Sequence, residues 1–179
     1  MNLSRLRAQL VFYPTLAWGL FLAKVLKVRR WWDRVDDHIL LGALPFSKDL
    51  PKMSAEGVRA VVNTCEEYAG PVAAYRKFGI EQFRMPTIDF THPALDDVIR
   101  AVEFMDRQIE AGNTVYVHCK AGRARSATVV MCWMIKKFQK PAVEVQKMLN
   151  THRPHINQHL SSRPVVQEFE NRFLNAIQS

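Results

Sequence analysis

Apolar positions along this chain change their period repeatedly, and each change marks an element. A first apolar stretch, residues 38–44, ends at Pro45 and reads as a strand. Residues 52–56 fit a short helical turn, and residues 58–63 make a second strand. Residues 68–78 carry a weak helical pattern, and residues 80–85 form a short strand closed by Pro86. Leu95, Ile99, Val102 and Met105 then recur at helical spacing as far as Gly112, with Thr91 as the expected N-cap. A strand over residues 114–117 follows at once. Beyond it, residues 127–135 are apolar around most of a helical circumference, the pattern of a central, buried helix. Pro141 opens another helix with Val145, Met148 and Leu149 on one face. Residues 163–177 make a last amphipathic helix, with Pro164 at an early, tolerated position. Strands alternating with helices imply an α/β class: one compact domain whose mostly parallel sheet is covered on both faces.

Composition narrows this picture. With 179 residues, 48% of them hydrophobic, the chain fills one core and leaves little for a second. Cys65, Cys119 and Cys132 cannot all pair internally and lack metal-ligand spacing. A disulfide-built secreted domain is therefore disfavoured and a reducing compartment expected. The net charge of +8 calls for an anionic partner, with nucleic acid, anionic lipid and a phosphorylated substrate all open on charge alone.

That charge is unevenly spread. No acid occurs from Met1 to Trp32, whereas Arg5, Arg7, Lys24, Lys27, Arg29 and Arg30 do. Between them an uncharged run from Leu10 to Ala23 is broken by Pro14 and Gly19 and is short for a spanning helix. Residues 1–30 are expected to target the chain to an organelle or to lie on a membrane surface. Counting through Lys24 to Leu26 keeps a marginal spanning segment as an alternative, and a helix packed on the domain as another. Acids begin abruptly at Asp33, Asp36 and Asp37, so residues 31–179 are assigned to the folded domain.

The chemistry concentrates where the strand at 114–117 meets the apolar helix. His118-Cys119-Lys120-Ala121-Gly122-Arg123-Ala124-Arg125-Ser126 places a thiol at a strand end and a guanidinium at the mouth of the next helix. Unpaired amides at that helix start, together with Arg125, favour a thiolate at Cys119 and can then bind phosphate oxygens. Gly122 permits the tight curvature, and the residues from Lys120 to Arg125 form the expected phosphate-binding cradle. Arg125 can grip two oxygens at once, a fork that lysine lacks. His118 is expected to bond behind the loop, and Ser126 to donate to the sulfur and ease its departure. A thiolate that attacks phosphate is the reading. A rhodanese-type sulfur transferase and a phosphate-binding adaptor without turnover are the competitors.

Cleaving a phosphate ester also needs an acid for the departing oxygen. Asp89 is the candidate, in the turn from Pro86 to Pro93 at a strand's C-terminal end, where functional loops of parallel sheets gather. Glu66 and Glu67 follow another strand to the same mouth, and a carboxylate there can brace Arg125 from behind. Lys120 and Arg123 add positive charge beside the cradle, which suits a multiply charged headgroup.

The loop from His118 to Ser126 resembles the signature of dual-specificity phosphatases of the protein-tyrosine-phosphatase-like superfamily. The segment from Trp31 to Phe46, Asn63-Thr64-Cys65-Glu66-Glu67-Tyr68 and Thr87-Ile88-Asp89-Phe90-Thr91 are similar to motifs of one branch, the mitochondrial phosphatidylglycerophosphate phosphatases. The likeness runs from Trp31 to the C-terminus. It implies that fold and a cysteinyl-phosphate mechanism with no metal and no other cofactor. Cys119 is then the nucleophile, Arg125 the phosphate ligand and Asp89 the acid–base. The implied reaction converts phosphatidylglycerophosphate to phosphatidylglycerol, toward cardiolipin, on the matrix side of the inner mitochondrial membrane. The implied partners are an anionic phospholipid and the membrane surface, not nucleic acid. A phosphoinositide or dual-specificity protein phosphatase is the alternative. Ala124 replaces the family's usual serine, and Ala69 stands where an acid often follows Tyr68.

Overall fold

The computed structural model describes residues 30–174, together with Phe12, Pro14 and Leu16. Five strands form one sheet in the order β1-β2-β5-β3-β4. They are β1 (Trp32–Asp36), β2 (Ile39–Gly42), β3 (Val58–Cys65), β4 (Glu81–Thr87) and β5 (Thr114–His118). Only the β1–β2 hairpin is antiparallel; β2, β5, β3 and β4 run parallel. The central position of β5 explains its composition, because a strand flanked on both sides and covered on both faces has no polar side to offer. All its residues are buried.

Alternation along the strands sorts side chains between two cores. Ile39, Leu41, Val62, Val115 and Val117 point into the larger one. That core is closed by α3 (Leu95–Glu110), α4 (Arg125–Phe138), α5 (Ala142–His152) and α6 (Pro164–Leu174). Leu40, Val61 and Tyr116 point to the other face, onto the short helices α1 (Leu50–Ala55) and α2 (Val72–Lys77). A slip of one residue in β5 would exchange the two sets, so the pattern itself enforces the register. In α4 every residue from Arg125 to Ile135 is buried, which accounts for its apolar circumference. Gln139, in the left-handed region at φ 52°, ends that helix ahead of Pro141.

Two expectations need correction. The apolar stretch at 38–44 yields the shorter β2, and a further strand, β1, precedes it among the acids assigned to a domain start. Asp is disfavoured in strands. Here Asp33 tolerates burial because Arg153, brought from the end of α5, pairs with it. Thr91 is not the N-cap of α3; that position belongs to Ala94, which offers no side-chain cap. The Thr91 hydroxyl instead donates to the Ile88 carbonyl at 2.7 Å and closes the turn that carries Asp89. The segment at 1–30 lies outside the described residues, apart from Phe12, Pro14, Leu16 and Arg30. Residues 175–177 of the expected last helix lie outside them too. No helix among the described residues is long and apolar enough to cross a membrane.

Candidate active site

β5 ends at His118 and α4 begins at Arg125, so residues 119–124 must turn over the C-terminal end of the central strand. Gly122 makes this possible with φ 65°, and a Cβ there would collide with the Gly42 carbonyl of β2. The first turn of α4 receives no side-chain cap from Ala124, which leaves its amides for another acceptor. Cys119 accepts from one of them, the Ser126 amide, and from donors of the loop before it. Its Sγ receives the Gly122 N–H at 3.2 Å and the Ser126 hydroxyl at 3.3 Å.

Burial alone would push the Cys119 thiol up, since desolvation penalises the anion. The Arg125 charge, the Ser126 hydroxyl and the amides of Ser126 and Arg123 outweigh it and bring the thiol down to about 7. Cys132, inside α4, has burial and nothing to oppose it, and its thiol is pushed well above the ordinary range. Cys65 goes the same way, its burial only partly offset by Arg125.

Arg125 is 2% exposed and spends one nitrogen on holding itself in place. Its Nη1 donates to Glu67 Oε2 at 2.8 Å and to the Thr87 carbonyl at 2.7 Å. Its Nη2 lies 3.2 Å from Asp89 Oδ1 and makes no hydrogen bond among the described residues. Burial opposes this cation, but Cys119, Cys65, Asp89 and Glu67 raise it, so it stays charged. Glu67 does double duty: its other oxygen accepts the Asp89 N–H at 3.0 Å. One carboxylate therefore ties the guanidinium and the Asp89 turn together. The neighbouring Glu66 donates its backbone N–H to the Thr87 carbonyl at 3.4 Å, and the carboxylate bonded to Arg125 is Glu67's.

Asp89 sits two residues past the end of β4, with its carboxylate between Arg125 and Lys120. Lys120 is buried and pairs with Asp89 Oδ2. Its ammonium lies 5.5 Å from the Phe12 ring and 5.6 Å from the Phe90 ring. Lys120 is thus engaged with the acid rather than displayed as spare charge, whereas Arg123 is exposed and donates to the His155 carbonyl at 2.7 Å. Ala121 is exposed on the rim and Ala124 half-buried. His118 lies behind the loop, with Nδ1 3.4 Å from the Cys119 carbonyl. Burial lowers it to about 3 against the pull of that bond, with Arg125 and Arg84 adding to the fall, so the ring is neutral.

The sequence pattern gave no sign of four participants. The Thr87 carbonyl carries no side-chain signal. Arg153 and Asp33 lie far apart in the chain, and only the buried acid within an alternating strand hints at them. Phe90 is 71% exposed and holds φ 67°, a strained conformation for a bulky side chain.

A thiolate receiving an amide and a hydroxyl, in the field of a braced guanidinium that is itself paired with a carboxylate, can transfer a phosphoryl group through sulfur. Residues 39–172 match the dual specificity phosphatase catalytic domain family. The chain belongs to the dual-specificity phosphatases. Among relatives of this family, phosphatidylglycerophosphate phosphatase PTPMT2 of Arabidopsis thaliana is 38% identical over 164 residues, covering 90% of this chain and 72% of that protein. Phosphatidylglycerophosphatase and protein-tyrosine phosphatase 1 of Homo sapiens is 36% identical over 174 residues, covering 92% and 87%. The crystal structure of PTPMT1 superposes with a TM-score of 0.74 at 33% identity, covering 83% of this chain and 100% of that one. PTPMT1 in complex with PI(5)P gives a TM-score of 0.75 at 32% identity, covering 83% and 99%. The protein is a cysteine-dependent phosphatase with the protein-tyrosine-phosphatase-like fold of this family.

Proposed function

We propose that this phosphatase hydrolyses phosphatidylglycerophosphate to phosphatidylglycerol, with Cys119 as nucleophile, Arg125 as phosphate ligand and Asp89 as acid and base. The observation that carries the chemistry is the buried Cys119 sulfur receiving the Gly122 N–H and the Ser126 hydroxyl, its thiol lowered to about 7 by Arg125, whose Nη2 makes no hydrogen bond among the described residues. The phosphate seats on amides of residues 120–125 and on Arg125 Nη2. As a dianion it takes over the two cations that hold Asp89, and the freed carboxylate takes up a proton from solvent and turns toward the leaving oxygen. Sulfur then bonds to phosphorus as the phosphorus–oxygen bond breaks, and the Asp89 proton passes to the departing alkoxide. Water, deprotonated by the Asp89 carboxylate, attacks the cysteinyl phosphate. Phosphate leaves and the thiolate returns, with the Ser126 hydroxyl stabilising it. Glu67 and His118 hold Arg125 and the loop in position throughout.

Support for the lipid comes from the two relatives named for this activity, each matched along about nine-tenths of the chain. It also comes from the mouth itself. Phe90 projects beside Asp89, and Phe12 brings part of the acid-free N-terminal segment to Lys120. An exposed aromatic next to a cationic rim suits a phosphate presented at a bilayer surface. Residues 1–30 then act as the targeting or membrane-surface segment and residues 31–179 as the catalytic domain. The proposed place of work is the matrix face of the inner mitochondrial membrane, where a basic, acid-free leader and an anionic substrate belong together.

Turnover of phosphatidylglycerophosphate, phosphoinositide and a phosphotyrosine peptide at matched surface concentration tests the assignment. The highest kcat/KM is expected on phosphatidylglycerophosphate; a higher value on either competitor sinks it. The second reading, a phosphoinositide phosphatase, has one observation in its favour: PTPMT1, at 32% identity, has been solved with PI(5)P.

A further inference from the structure

Against the backbone carbonyls of the Cys119 loop lies a second buried guanidinium. Arg153 is 1% exposed and ends α5. Its Nε donates to the Gly122 carbonyl at 2.8 Å and its Nη2 to the Ala121 carbonyl at 3.3 Å. Its Nη1 pairs with Asp33 Oδ2 on β1, and Asp33 is itself 7% exposed.

The two carbonyls chosen are informative. A peptide unit is planar and trans, so its C=O and N–H point in opposite directions. The Ala121 carbonyl shares a plane with the Gly122 N–H, which donates to the Cys119 sulfur at 3.2 Å. The Gly122 carbonyl shares a plane with the Arg123 N–H, which also favours the thiolate. Drawing both oxygens to the rear turns both hydrogens to the front. A lock is needed here because Gly122, at φ 65°, lacks the Cβ that would restrict rotation of its peptides.

We propose that Arg153, pinned by Asp33, is a positioning residue for the reaction: it sets the orientation of the two peptides whose amides face sulfur and phosphate. A lysine would satisfy one carbonyl but not both together with the carboxylate, because it lacks the planar fork. The inference concerns the thiolate itself and holds for any phosphomonoester, independently of the lipid assignment.

Alkylation of Cys119 by iodoacetamide, followed by mass spectrometry across pH on the full chain, provides the direct readout. Inhibition by inorganic phosphate and hydrolysis of p-nitrophenyl phosphate accompany it. Arg153→Lys is expected to raise the labelling midpoint from about 7 by about one pH unit. It should also cut the thiolate fraction at neutral pH about fivefold and weaken phosphate inhibition even where the thiol is fully ionised. Asp33→Asn should move all three in the same direction by less. The other titratable groups coupled to this sulfur, Cys65, Tyr116, Arg125 and Arg163, are kept in both variants, and the positive charge of Arg153 that acts on Tyr116 is retained by lysine. A folded Arg153→Lys protein with an unmoved midpoint overturns the proposal. So does one that loses activity equally at every pH while binding phosphate normally. Should Arg153→Lys fail to fold, Asp33→Asn decides by the same criterion.

Discussion

Cys119 and Cys132 lie only one helix apart and are both buried, at 4% and 0% exposure, yet their thiols move in opposite directions. Desolvation acts on both and opposes ionisation in both. What differs is the company: Cys119 receives the Ser126 hydroxyl, several backbone amides and a guanidinium's field, while Cys132 looks out from the middle of α4 onto hydrocarbon. Reactivity here is therefore set by donors that fold around a sulfur, and burial alone makes a thiol inert.

The largest effect should come from removing the sulfur. Cys119→Ser is expected to lower hydrolysis at least about 10⁴-fold while phosphate binding survives, measured by single-turnover assay and inhibitor titration. Residual turnover close to wild type would erase the contrast between the two thiols. Next comes the guanidinium. Arg125→Lys should reduce kcat/KM about 10³-fold and move the Cys119 labelling midpoint toward the ordinary thiol value.

Asp89→Asn should slow alkyl phosphates by about 10²–10³-fold and an aryl phosphate with a good leaving group far less. An equal loss on both would remove Asp89 as proton donor. Because the Cys119 thiol is lowered to about 7, the thiolate is lost as pH falls through that value. In the wild type, kcat/KM should fall about tenfold per pH unit below it. Ser126→Ala should cost about tenfold, with phosphoenzyme accumulating in rapid-quench traces as its breakdown slows.

The smallest change sharpens the comparison at its outer edge. Phe90→Ser should leave hydrolysis of a soluble phosphate unaltered and lower turnover on anionic vesicles a few-fold, separating the rim from the chemistry beneath it.

Much of the fold could be read from the chain because its signals are local. The strand at 114–117, the apolar helix after it and the amphipathic helix from Leu95 all arise from periodicity within one element. The nucleophile loop was legible for the same reason, since Cys119, Gly122, Arg125 and Ser126 fall within eight consecutive residues. Pairings across the sheet were not. Nothing in Glu66-Glu67 tells which carboxylate faces Arg125; the end of β3 decides it, by directing Glu67 toward Arg125 and the Asp89 turn. β1 carries no local strand signal because its acids argue against one, and Asp33 is acceptable there through Arg153, 120 positions away, together with Arg30. Phe90's backbone conformation left no trace in residue type, because a phenylalanine at positive φ is what propensity argues against.

Arg153 lies 27 positions beyond Ser126, which matters in the chain's early life. A ribosome releases the signature loop well before it releases Arg153, so a growing chain carries the future nucleophile without its rear latch. On the role proposed for Arg153, that sulfur reaches its full reactivity toward peroxide and stray electrophiles only once α5 has docked.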